Sequence, residues 1–312
     1  MRVSTLLVAC VLAFLASEAT AEAIQCAGRN AIVGTPGRDV IIGTARRDLI
    51  RAGRGDDVIR ALGASDKVCG GPGNDVIRAG RGHDLVFAEA DADVIWGESG
   101  DDTILDGEGP DITYGGPGAD ANWKESPGYP FFPVTGNGSD VFFGGPGADV
   151  AVDGAGADLV DMGWGDDSAT EFVGSGDDTY LGREGADRLW LGNSADDLFN
   201  GGPGEDWVNM ASSWKYGAPG PPVVINLTTG LITGRGNDTV VGVENAEGTL
   251  SAADTLIGDG ANNVLHGLGG DDRIEGLDGN DLLQNFPGEG FLDGGNGTDT
   301  CIGGATLLNC EL

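Results

Sequence analysis

Aspartate recurs every nine residues from Asp39 through Asp48, Asp57, Asp66, Asp75, Asp84, Asp93, Asp102 and Asp111 to Asp120. A period of that length confines the chain to a stack of short, similar units. Each Asp is the sixth residue of a nonapeptide, as in GGPGNDVIR at Gly70, GESGDDTIL at Gly97 and GGPGADANW at Gly115. Six turn-forming residues precede three strand-forming ones. Position eight holds Ile41, Ile50, Ile59, Val68, Ile77, Val86, Ile95 and Ile104, so one side chain of each short strand points inward while its neighbours point out. Position four requires a backbone that tolerates positive φ, which glycine supplies at little steric cost. Aromatic residues are only 6% of the chain, in keeping with a thin core of small branched side chains.

Residues 124–134 interrupt the pattern. A second array then carries Asp140, Asp149, Asp158, Asp167, Asp178, Asp187, Asp196 and Asp206, with its register slipping by two residues near Glu171 and by one at Asn200. A third places Asp254, Asn263, Asp272, Asp281, Gly290 and Asp299 at spacing nine, so its geometry persists where the acid is lost. The chain divides into a signal segment 1–21, an N-terminal array 22–123, the insert 124–134, a second array 135–209, an irregular module 210–248 and a C-terminal array 249–312.

The units GGPGND, GGPGAD and GGPGED, at Gly70, Gly115, Gly144 and Gly201, resemble the GGxGxDxUx repeat of the RTX, or haemolysin-type, calcium-binding proteins, where U is a large apolar residue. The resemblance implies an all-β fold, a right-handed parallel β-roll with two units per coil, each stacked on the unit eighteen residues away. The turn exposes carbonyl oxygens beside the Asp carboxylate, a hard-oxygen site. Calcium takes about six to eight such oxygens, so stacked turns from two units must supply them together. The expected calcium ligands are Asp39, Asp57, Asp75, Asp84, Asp93, Asp102, Asp111, Asp120, Asp140, Asp149, Asp158, Asp167, Asp178, Asp187, Asp206, Asp272, Asp281 and Asp299.

Two units per coil divide the first array into two edges. Edge one carries Asp39, Asp57, Asp75, Asp93 and Asp111, and only its fourth turn lacks glycine at position four, with Asp91 there instead. Asp tolerates positive φ better than most residues. Edge two opens with GTARRD and ALGASD, whose Arg46 and Ala64 stand in the glycine position; these two turns are expected to bind metal poorly, with arginines neutralising their aspartates. Position nine on edge one holds Arg60, Arg78, Trp96 and Tyr114, which are expected to form one outward ladder able to hold an acidic glycan.

The formal net charge is -33, and a surface so negative repels phosphate backbones, which argues against a nucleic-acid partner. Met1-Arg2, an apolar run from Leu6 to Leu15 and Ala19-Thr20-Ala21 have the layout of a secretory signal, giving a secreted chain that begins at Glu22. That run is short of the ~20 residues a spanning helix needs, so no membrane insertion is expected. Cys26, Cys69, Cys301 and Cys310 remain, an even count that suggests two disulfides in an exported chain. Two lie early and two near the end, which favours Cys26–Cys69 and Cys301–Cys310, the latter closing the roll from position eight of successive units. A zinc site is disfavoured by the presence of only His83 and His266 and no paired CxxC.

There is no HExxH and no GxSxG, and both histidines sit inside repeats. The expected function is calcium binding coupled to folding, without catalysis. The alternatives are an adhesin or surface-matrix component that binds glycans, and a polysaccharide hydrolase or epimerase with a cleft shaped by 124–134 and 210–248.

Overall fold

The computed structural model describes residues 26, 28, 30–123, 138–171, 176–192, 195–210, 221–304 and 306–311. The expected signal segment, the insert 124–134 and the residues just after Glu171 lie outside the described residues.

Among the described residues thirty short strands form two sheets, one of 14 strands and one of 16. Along the repeats successive strands alternate between the sheets, and each pairs in parallel with the strand one coil on. Val40–Ile42 pairs with Val58–Arg60 and that with Val76–Arg81, while Leu49–Arg51, Lys67–Pro72 and Leu85–Ala90 stack in the other sheet. The spacing is the expected eighteen: Ile41 lies on Ile59, and Ile59 on Ile77. These position-eight side chains are buried against Ile50, Val68, Val86 and Ile104 from the facing sheet. Burying each contributes about 2 kcal/mol, which many coils repeat. The chain is a two-sheet parallel solenoid, a β-roll.

The 11-residue insert leaves the register intact. Ile112–Tyr114 pairs with Val141–Pro146 across it, and the interval between equivalent aspartates grows from 18 to 29 residues. At this level the core changes character. Thr113 and Asn122 hold the inward positions between Ile95 and Phe142 and between Ile104 and Ala151, separating an aliphatic cluster from one that includes Phe142, Tyr180 and Phe199.

The two extra strands of the larger sheet are Val224–Asn226 and Leu231–Thr233, an antiparallel hairpin added between Asn237–Val241 and Thr255–Ile257. The preceding strand, Leu198–Asn200, turns Phe199 inward. Asp197 is therefore the sixth residue of that unit and Asp196 the fifth, so the one-residue slip falls before Asp197 and not at Asn200. Two adjacent aspartates offer both registers, and burial of Phe199 selects one.

The disulfides join Cys26 to Cys69 and Cys301 to Cys310. Cys26 covers the outer face of one sheet, where Cys69, Phe87 and Leu105 stack. The last unit is shortened. Thr306–Leu308 pairs with Phe291–Asp293, so Leu307 and not Cys310 sits over Leu292. Cys310 follows that strand in the terminal turn and reaches Cys301 across a Cα separation of 5.7 Å.

Candidate metal centre

The turn GGPGND at Gly70 shows how the units assemble a site. Gly71 and Gly73 take φ of 108° and 137°, so positive φ is required at position two as well as at position four. This turn stacks so closely on its predecessor that a Cβ on Gly73 would lie 2.3 Å from the Gly55 carbonyl oxygen, and one on Gly71 1.9 Å from that of Gly53. The position-two and position-four carbonyl oxygens of one turn thus face the next coil.

The sixth-position Asp does two things. Its backbone N–H donates to the carboxylate one coil further on: Asp57 to Asp75 Oδ1 at 2.8 Å, and Asp75 to Asp93 Oδ1 at 2.7 Å. Its other oxygen, Oδ2, is buried and accepts no hydrogen bond among the described residues, as seen at Asp57, Asp75, Asp93, Asp84, Asp102 and Asp120. A buried carboxylate oxygen without a donor is a strongly unfavourable arrangement unless a cation or proton compensates it. Burial pushes the Asp75 and Asp102 carboxyls up to about 7 and Asp93 up to about 9, and neighbouring acids add to each rise.

The remaining candidates fall into place along the two edges. Asp111, Asp140 and Asp158 continue edge one through the same Oδ1 ladder, which runs on to Asp178. Asp149, Asp167, Asp187 and Asp206 continue edge two, each with an orphan Oδ2, and Asp178, Asp281 and Asp299 have the same orphan oxygen.

Asp39 and Asp272 differ. The N–H and hydroxyl of Thr35 both donate to Asp39 Oδ2. In the amide orientation that satisfies both its ends, Asn285 donates to Asp272 Oδ2 at 2.9 Å and accepts from Asp272 N–H. Asn285 thus stands in for the carboxylate missing at Gly290.

Asp39 belongs to a distinct class of closed turn, in which an N–H four residues before the Asp or Asn, or five in the turn of Thr249, turns back onto that residue's side chain. Thr44 donates to Asp48 Oδ2 at 2.5 Å, Thr249 to Asp254 Oδ2 at 2.6 Å and Asp259 to Asn263 Oδ1 at 2.9 Å. All four closed turns open a run of repeats, two at the N-terminal start and two after the hairpin.

GTARRD and ALGASD, grouped together on their missing position-four glycine, differ in geometry. The first is closed by Thr44 rather than neutralised by its arginines. The second adopts the open shape, with Leu62 and Ala64 at φ of 85° and 77°, and its Asp66 keeps an orphan Oδ2. Arg47 acts on Asp66, where it opposes the upward push of burial. Asp91 takes the left-handed conformation expected of it, at φ 79°.

Four further acids belong to the ladders. Asp178 donates to Asp197 and Asp197 to Asp238. Asp206 donates to Glu244 Oε2 and Asp299 to Glu311 Oε2. Asp238 carried a legible signal, since GRGNDTV at 234–240 is a repeat unit inside the stretch read as irregular, with Gly234 and Gly236 at φ of 119° and 125°. Glu244 and Glu311 had none, because only the stacking brings them level with an aspartate.

The outward ladder on edge one also forms and gains a member. Arg78 lies 4.9 Å over Trp96, Trp96 stacks on Tyr114 at 5.5 Å, and Tyr114 on Phe143 at 5.0 Å with planes 4° and 9° apart. The insert hid Phe143 from the eighteen-residue count. The inner ring faces are covered by one another, leaving their edges to solvent.

Paired turns whose carbonyls face one another, lined by buried carboxylate oxygens without donors, define a solenoid that binds hard cations through oxygen. The family of RTX calcium-binding nonapeptide repeats matches residues 33–68, 70–104, 90–121, 134–169, 172–208, 249–283 and 291–305, well over half of the chain. The chain belongs to this family and is a calcium-binding repeat protein. No curated protein matches it.

Proposed function

We propose that this chain is a secreted, non-catalytic calcium-binding β-roll whose folding is coupled to extracellular calcium. The observation that carries the reading is the row of buried Oδ2 atoms without hydrogen-bond donors along both edges. Stacked at a strand spacing of about 4.8 Å, such carboxylates repel one another unless cations lie between them. The turn carbonyls supply the remaining oxygens that calcium needs, and magnesium, which prefers a tighter octahedral shell, substitutes badly. Export is supported by the signal-like N-terminus and by two disulfides. The periodic placement of the acids accounts for them as ligands and leaves none requiring a catalytic role.

Circular dichroism of the mature chain tests the coupling. The expected outcome is a β-rich spectrum in calcium and loss of that signal in excess chelator. A cooperative β spectrum that survives chelation overturns it.

Glycan binding is a second reading, favoured by the continuous Arg78–Trp96–Tyr114–Phe143 strip. Because the inner ring faces are covered, a sugar would meet ring edges and the flanking arginines. A glycan array compared between wild type and Trp96→Ala tests it, and the absence of any hit removes it.

A further inference from the structure

Position one of the edge-one turns is small in the first four units, with Gly34, Ala52, Gly70 and Ala88, and holds the buried Asp106 in the fifth, where the Asn122 amide donates to Asp106 Oδ2. A Cβ on Gly70 would stand 2.4 Å from Asp75 Oδ2, so this position adjoins the metal-facing oxygen from the core side. In the second array the corresponding residues are Asp153 and Glu171, both buried. Neither residue follows the small-residue pattern of the first four units, and each brings a further acid beside the sixth-position aspartates.

Tyr180, the inward residue one coil on from Val160, donates its hydroxyl to Asp153 Oδ2. That bond fixes the carboxylate and leaves Oδ1, which is buried and has no donor. The carboxylate oxygens of Asp153, Asp158 and Asp178 lie within 4.8 Å of one another. Asp178 Oδ2 is likewise buried without a donor, so two of the three clustered carboxylates each bring an unpartnered oxygen. Asp178 also meets Glu171 and Asp197 in a second trio of the same dimension. Side chains held in a wholly buried, phenol-anchored arrangement lose little entropy on binding an ion, and three carboxylates there offer more charge than a turn site with one or two.

We propose that Asp153, Asp158 and Asp178 hold an additional divalent cation on the core side of edge one, bound more tightly than the ions between the turns, with Tyr180 as the positioning residue for Asp153. The chemistry of the donors, three carboxylates and no nitrogen or sulfur, selects calcium over the softer metals. This inference rests on the calcium-binding reading of the turns. It adds that one coil of the second array has been converted from a turn site alone into a buried anchor.

The test uses the full mature chain, loaded with calcium, dialysed against a weak chelator and analysed for retained calcium by mass spectrometry. Wild type is expected to retain one ion per chain after the turn sites have emptied. Asp153→Gly, which restores the small residue of the first four edge-one units, is expected to lose that ion while keeping the β spectrum in saturating calcium. Tyr180→Phe is expected to retain it with affinity lowered several-fold. The control Asp93→Asn, a first-array turn ligand, is expected to change the turn titration and leave the retained ion in place. Retention of the same ion by Asp153→Gly overturns the proposal while the turn reading stands. If Asp153→Asn is more stable than wild type in calcium, the carboxylate is held neutral by a proton and the proposal also fails. A wild type that binds no calcium overturns both readings together.

Discussion

The turn of Asp75 and the turn of Asp48 have the same aspartate at the same place in the repeat, yet they satisfy it in opposite ways. In GGPGND the position-two and position-four residues have positive φ, the carbonyls face the next coil, and Asp75 Oδ2 is buried without a donor. In GTARRD the Thr44 N–H turns back onto Asp48 Oδ2 at 2.5 Å, and the Thr44 hydroxyl lies 3.3 Å from the Arg46 carbonyl. One turn leaves a buried oxygen without a donor and the other closes on its own carboxylate. Closed turns lie where a run of repeats begins and open turns along its length, so under the proposed function the roll starts on units that close without metal and continues on units that use it.

The largest effect that separates the two classes is that of pH, because it acts on many open turns at once. Burial raises Asp75, Asp102, Asp120 and Asp167 to about 7 from an ordinary 3.8. A folded-state value above the unfolded one means that the metal-free roll binds more protons than the unfolded chain. Its burial penalty is absent below about pH 4 and grows as pH rises towards about 7. In chelator, the β signal is therefore expected to increase as pH falls from 7.5 to 5, while the calcium midpoint moves to higher concentration as protons compete. A metal-free signal that is flat or falls on acidification would break the distinction, since open turns would then carry no uncompensated carboxylates.

Next in size is a glycine comparison. Gly73→Ala places a methyl 2.3 Å from the Gly55 carbonyl at φ 137°, and strain and overlap together are expected to destabilise the calcium-loaded roll by about 3 kcal/mol. Gly37→Ala, in the closed first turn, meets nothing within 4 Å and has no positive φ, so it is expected to stabilise by about 0.5 kcal/mol through the unfolded chain. Denaturant unfolding of both variants in calcium measures the difference. Equal losses would show that the two turns have the same backbone.

Asp57→Ala and Asp48→Ala sharpen the comparison at the carboxylate itself. Asp57 lies between the coils of Asp39 and Asp75 and is linked to both. Its loss is expected to raise the calcium midpoint about tenfold, equivalent to about 1.4 kcal/mol. Asp48→Ala forfeits the Thr44 contact, worth about 1 kcal/mol of stability, and should move the midpoint less than about twofold. Equal midpoint shifts in a calcium titration would mean that the closed turn also binds metal.

The smallest expected effect is at the hydroxyl. Thr35→Val removes the Oγ1 contact to Asp39 at 3.0 Å but keeps the N–H, so it is expected to cost about 0.5 kcal/mol and leave calcium binding unchanged. A shift in the calcium midpoint, read by the same titration, would show that the hydroxyl keeps Asp39 from an ion.

What could be read from the chain alone was whatever repeats locally. The nine-residue Asp period, the inward Ile and Val at position eight and the glycine at position four carried the family resemblance, which implied two units per coil, and the stacking of Ile41 on Ile59 bears that out. Position two escaped because glycine shares it with Leu62, Glu98, Arg183 and Leu277, all at positive φ; the turn imposes that conformation on them. The choice between Asp196 and Asp197 also lay outside any local count, since both precede a strand-forming run and only packing of Phe199 in the core decides it.

The partner of each carboxylate was invisible for the same reason. An open Asp accepts from an N–H eighteen or more residues earlier, and Asp206 finds Glu244 38 residues later across the hairpin. Whether a given Asp requires a cation therefore depends on which coil lies beside it and whether its own turn folds back. The repeat is written in the sequence, but its electrostatic state is a property of the stack, because the oxygens that must be shared come together only when one coil lies against the next.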